Sequence, residues 1–187
     1  MLGQIAIFLV DTVVTFIVFL LLARFIFQWL RVPFRNPAGE FLLATTSWIV
    51  APARRVIPGM AGLDLATLLL AWLLQFLGLW LQAGIAGAEP SVLALAAVAV
   101  VDLVRYGVYI LVFAVIVQAV LSWVNPYTPV APAFDALTRP FLRPLRRFVP
   151  PIANVDLSPL VLLVALQVLL IALAQLRDLA GALFPSA

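Results

Sequence analysis

Long apolar runs separated by two basic, proline-containing connections set the pattern of this chain. Four runs reach the roughly 20 residues that a helix needs to cross a bilayer. They predict spans over about 5–30, 63–84, 106–123 and 157–176. The third run is longer than one crossing, because apolar sequence extends from Ser91 to Trp123. As one helix of about 33 residues it would measure roughly 50 Å, against a hydrocarbon core of about 30 Å. The expectation is that Leu93–Val101 lies along the outer interface or in a break, with strong tilt as the alternative. The first run lacks a basic start and a small-residue cleavage site, so it reads as a retained membrane helix.

The connections have a different period. On a helical wheel of residues 133–149, Phe134, Leu137, Phe141, Leu145 and Phe148 fall within about 80° of one another. Asp135, Arg139, Arg143, Arg146 and Arg147 fall opposite. The segment is therefore an amphipathic surface element. Pro140 and Pro144 each remove an N–H and crowd the preceding turn, which predicts two short helical pieces with a kink. Its aromatic side would enter the acyl boundary while its arginines meet anionic headgroups, at about 1 kcal/mol each.

A shift of 92 residues superimposes the two connections without gaps. Pro37 falls on Pro129, Thr46 on Thr138, Pro52 on Pro144, and Arg54 and Arg55 on Arg146 and Arg147. Pro58 falls on Pro150, Asp64 on Asp156 and Gln75 on Gln167. The prediction is an all-α membrane protein, a single domain over 1–187, in which a helix–amphipathic Pro/Arg hairpin–helix unit occurs twice. Repeat 1 covers 1–84 and repeat 2 covers 91–180. Each unit holds two crossings, so both copies insert the same way up, as a parallel repeat.

Composition removes chemistry. The 187 residues are 66% hydrophobic and 10% charged, with no cysteine and no histidine. All eleven basic residues are arginine. Thiol and imidazole nucleophiles, thiolate or histidine metal sites, Walker loops and lysine Schiff bases are thereby excluded. No catalytic residue, metal or cofactor is expected, and nothing suggests nucleic-acid binding. Both connections carry four arginines while the short link at Gly84–Ser91 carries Glu89. Arginine placement puts both connections on the cytoplasmic side and both termini outside.

Candidate functional residues follow from position. Arg54, Arg55, Arg139, Arg143, Arg146 and Arg147 would meet anionic lipid headgroups or a membrane-protein partner. Asp64 and Asp156 stand where spans begin, as helix N-caps. Asp11 and Asp102, near the outer ends of spans and equivalent after a one-residue slip, form a candidate ion site. Arg105 lies at pairing distance from Asp102. Arg24, Gln28 and Arg31 share a face expected to snorkel toward headgroups. Gln75 and Gln167 would hydrogen-bond between helices.

The stretches "SWVNPYTP" (122–129) and "LRPLRRFVPPIANVDLSPL" (142–160), with "FRNPAGEF" and "APARRVIPGMAGLDLATLLL" in the first copy, resemble the YggT family, also called YlmG. Trp48 stands where the second copy has Pro140. The resemblance covers nearly the whole chain in the two-copy form. It implies a small, multi-pass protein of the bacterial cytoplasmic (inner) membrane. Some bacterial members are linked to osmotic tolerance and potassium handling. Relatives in photosynthetic lineages are linked to cytochrome b6f haem attachment, division or nucleoid distribution. The leading expectation is a non-enzymatic scaffold or assembly factor whose hairpins bind a partner complex and anionic lipid. The alternative is a channel or transporter element in osmotic stress, which would require a homo-oligomer.

Overall fold

A computed structural model describes residues 1–57, 64–125, 127–148 and 156–182. The described residues form six helices and no strand: α1 (Leu2–Trp29), α2 (Pro37–Val56), α3 (Leu65–Ala86), α4 (Val92–Val124), α5 (Ala131–Phe148) and α6 (Ser158–Ala182). Four of these, α1, α3, α4 and α6, are long and apolar enough to cross a membrane. The chain is thus a multi-pass helical membrane protein built from two tandem units. Pro58, Pro150 and the start of the second predicted span fall outside the described residues.

Two expectations need correction. Leu93–Val101 is neither a break nor a separate interfacial piece, because α4 runs unbroken for 33 residues. Trp72 of α3 donates to the Ala96 carbonyl and Gln75 to Asp102. The first part of α4 is thereby packed on α3. The two short pieces expected in the second connection are one helix, since α5 continues through Pro140 and Pro144. Both prolines lie on its exposed side, four residues apart. Ala133, Leu137 and Leu142 stay buried on the inner side.

Packing follows the repeat. Within each unit the first and third helices are antiparallel: Gln82 reaches Asp11 in one, and Arg177 reaches Asp102 in the other. The two first helices run parallel, with Tyr106 beside Thr15 and Phe19 and with Ala114 in one cluster with Phe27. Hence α2 and α5 emerge at the same end. Gly87, with φ +70°, ends α3 in the left-handed region that suits glycine.

Gly78 sets the approach of α1 to α3. A Cβ built there would lie 2.7 Å from a Val14 methyl, and a β-branched side chain in a helix has little freedom to yield. Gly78→Ala should therefore cost about 1–3 kcal/mol of stability, read as a lowered thermal midpoint in detergent. Adding Val14→Ala should recover part of that loss. A Gly78→Ala protein as stable as the parent would contradict the close contact.

Candidate functional site: a buried carboxylate node and two arginine clamps

Asp102 lies inside a span and is 2% exposed. A carboxylate there must be paired and hydrogen-bonded or become neutral. It accepts from Arg177 Nε at 2.7 Å, Gln75 Nε2 at 3.0 Å and Arg105 at 3.3 Å. Gln75 also lies 3.4 Å from the Tyr106 hydroxyl, which is 3.5 Å from Thr15 Oγ1. One polar chain therefore touches all four apolar helices.

Asp11 has a separate environment. It is exposed and accepts from Gln82 at 3.3 Å. The two aspartates of the candidate ion site share no hydrogen-bond partner. A cation arriving at Asp102 would meet two guanidiniums already in place. Gln75 makes its interhelical bonds, but Gln167 is exposed on α6.

The second feature occurs in both units, at the ends of α2 and α5. Arg54 forms an ion pair with Asp64, and Arg146 Nε lies 2.8 Å from Asp156. Asp64 is the N-cap of α3, accepting from the Thr67 amide at 3.3 Å and from its hydroxyl. Asp156 stands two residues before α6 and accepts from the Ser158 amide at 2.9 Å. Each clamp joins arginine in the last turn of one helix to a carboxylate at the start of the next. Both positions also suit the helix dipoles. Arg54 further donates to Gln28 at 3.0 Å. Arg24 is buried rather than snorkelling, and donates to Thr46 at 2.8 Å and Ser47 at 3.2 Å.

Burial opposes ionisation of Asp64, yet Arg54 and Thr67 hold its carboxyl below the usual carboxylate range. Asp156 is lowered too: burial again opposes, and Ser158 with Arg146 outweighs it.

The remaining arginines are distributed outward. Arg139 pairs with Asp135 one turn earlier on the exposed side of α5. Arg55, Arg143 and Arg147 are exposed and belong to none of the ion pairs among the described residues. The apolar side of α5 does not point to lipid: Leu137 and Leu142 are buried in cores formed with α1, α4 and α6, and only Phe148 is largely exposed. Trp29, Trp48, Trp123 and Tyr127 are exposed around the same end, as interfacial aromatics are. An apolar groove of about 550 Å³ lies among Leu22, Trp29, Gly107, Phe141 and Leu166, beneath α5.

Arg54 and Arg146, expected from position to meet external ligands, are therefore held within the protein, and Arg177 joins the site without an expectation attached to it. The clamps were readable as the same ten-residue Arg-to-Asp spacing in both units. Arg177 offered only the weaker signal of a charge within an apolar run.

The CCB3/YggT family model matches residues 3–85 and 97–177. An uncharacterised Pseudomonas aeruginosa protein is 34% identical over 171 residues, covering 88% of this chain and 85% of that one. The uncharacterised protein YggT of Escherichia coli K12 is 32% identical over 176 residues, 93% of this chain and 92% of its own. A Vibrio alginolyticus protein from the proC 3′ region is 33% identical over 164 residues, 86% of this chain and 88% of its own. No solved structure matches.

Two predictions follow from the geometry. Asp102→Asn leaves two guanidiniums without their carboxylate, and should destabilise the protein by about 3–5 kcal/mol. Adding Arg177→Gln should restore part of this in detergent melts. For the clamps, both carboxyls are lowered in the folded state. Their contribution is complete above about pH 4 and is lost as pH falls through the lowered values. Thermal stability measured down the acid limb should fall for the parent, and less for Asp64→Asn with Asp156→Asn. Identical acid profiles would show that the clamps carry none of the pH dependence.

Proposed function

As the chain belongs to the CCB3/YggT family, we propose that it is a non-enzymatic scaffold or assembly factor of the bacterial inner membrane. Its arginine face on α5, assisted by Arg55 on α2, binds a membrane-protein partner together with anionic phospholipid. The observation that carries this reading is the fixed mounting of α5. Its inner side is packed into the bundle and its last turn is clamped to Asp156. Arg143 and Arg147 are thereby held outward on a rigid helix instead of a loose loop.

Anionic lipid suits both parts of this surface. Phosphate would meet the guanidiniums, and the apolar groove beneath α5 has room for an acyl chain. Both termini would lie outside and both connections in the cytoplasm, a placement that the arginine distribution supports. The conducting alternative ranks second, because its proposed carboxylate at Asp102 already faces Arg105 and Arg177.

Arg143→Gln combined with Arg147→Gln tests the reading. Purified from native membranes, the variant should retain about thirtyfold less anionic phospholipid than the parent, since each of the two arginines contributes about 1 kcal/mol near a membrane surface. It should also lose the co-purifying partner while its insertion and melting point stay unchanged. Unaltered retention of both lipid and partner would overturn the proposal. Ion flux from parent protein in vesicles across an osmotic step would favour the conducting alternative.

A further inference from the structure

Two helix faces that the repeat makes equivalent have opposite fates. On α3, Leu68, Trp72, Gln75, Leu79 and Ala83 form one stripe, and none of the five is exposed. The covering helix is α4. Trp72 donates to the Ala96 carbonyl at 3.3 Å, Gln75 donates to Asp102 at 3.0 Å, and Leu79 packs against the cluster that holds Val98. Adding 92 gives Leu160, Val164, Gln167, Ile171 and Gln175 on α6, and all five are exposed. The apolar members are 58–62% exposed. In repeat 1 this stripe is a helix-packing face, and in repeat 2 no described helix covers it.

The stripe holds two side-chain amides inside a span. Amides facing lipid have no solvent to bond with, and such residues are usually turned toward another helix. We propose that a second copy of this chain covers the stripe, α6 packing on α6 about a twofold axis along the membrane normal. Copies inserted the same way up share depth, so Gln167 meets Gln167 of the second copy, and Gln175 meets Gln175. A primary amide carries both donor and acceptor, so it satisfies its own image, as the isologous geometry demands. The exposed face of α1 fits less well. Phe8, Val13 and Phe16 are apolar there, but Asp11 and Thr12 lie beside them, and a twofold contact would set carboxylate against carboxylate. The α6 surface is separate from the arginine face on α5, and the proposal does not rest on that reading.

The chain contains no cysteine, so single replacements report cleanly. Ile171→Cys and Val164→Cys should give a disulfide-linked dimer when native membranes are oxidised. Phe16→Cys on α1 and Val120→Cys on α4, both exposed, should remain monomeric. Energy transfer between copies labelled at Phe16→Cys, followed as lipid is added, reads the association. Gln167→Leu with Gln175→Leu should weaken it about tenfold, roughly threefold for each amide pair. Both leucines replace exposed side chains and fit a lipid-facing helix, so folding is preserved. Equal cross-linking at Phe16, absence of a dimer, cross-linking of α6 to a different protein, or undiminished association of the double leucine variant would each overturn the proposal.

Discussion

A carboxylate placed among apolar helices has to find cations and donors, and Asp102 is the point from which this bundle is organised. Arg177 supplies the pairing across α4 and α6, within the second unit. Gln75 supplies it from α3, in the first unit. Tyr106 and Thr15 extend the chain to α1. The apolar faces alone specify little, because hydrocarbon is as good a neighbour for leucine as another leucine is. A charge that cannot be left alone selects one depth and one rotation for each helix that answers it.

The same logic acts at the end where the connections lie. Arg54 and Arg146 are consumed internally by Asp64 and Asp156, so a third of the six arginines that look like a basic surface are fastening. That fastening gives the other arginines a definite direction. With α5 packed by its apolar side and held at its last turn, Arg143 and Arg147 face outward together. Scaffold function, on this reading, depends on a stiff element whose charge is divided between holding itself in place and meeting something else.

The two units share a plan and differ in use. Gln75 is buried against α4, and its counterpart Gln167 is on the surface. Asp102 is enclosed by three partners, and Asp11 of the first unit has one. Thr46 receives Arg24, and the second unit has Ile116 where Arg24 would fall. Duplication supplied equivalent faces, and packing of one unit on the other made them unequal.

Much of the fold was legible along the chain. Run length and hydropathy picked out four long apolar segments, and each falls on one of the four helices long and apolar enough to cross a membrane, because the energetics of burial act locally on each segment. The repeat was legible too, since Pro, Arg-Arg and Asp recur at one spacing. Continuity of α4 and α5 was not, because local rules charge each extra turn and each proline separately, and packing on neighbouring helices offsets those costs only in the assembled bundle. The fate of the charges was least visible. Arg177 and Asp102 lie 75 residues apart, and no periodicity joins them. Sequence by itself determined which segments enter the membrane and which elements repeat, through hydrophobicity and backbone chemistry. Tertiary structure alone decided which arginines are spent on carboxylates and which remain to face outward, because pairing depends on distance across helices.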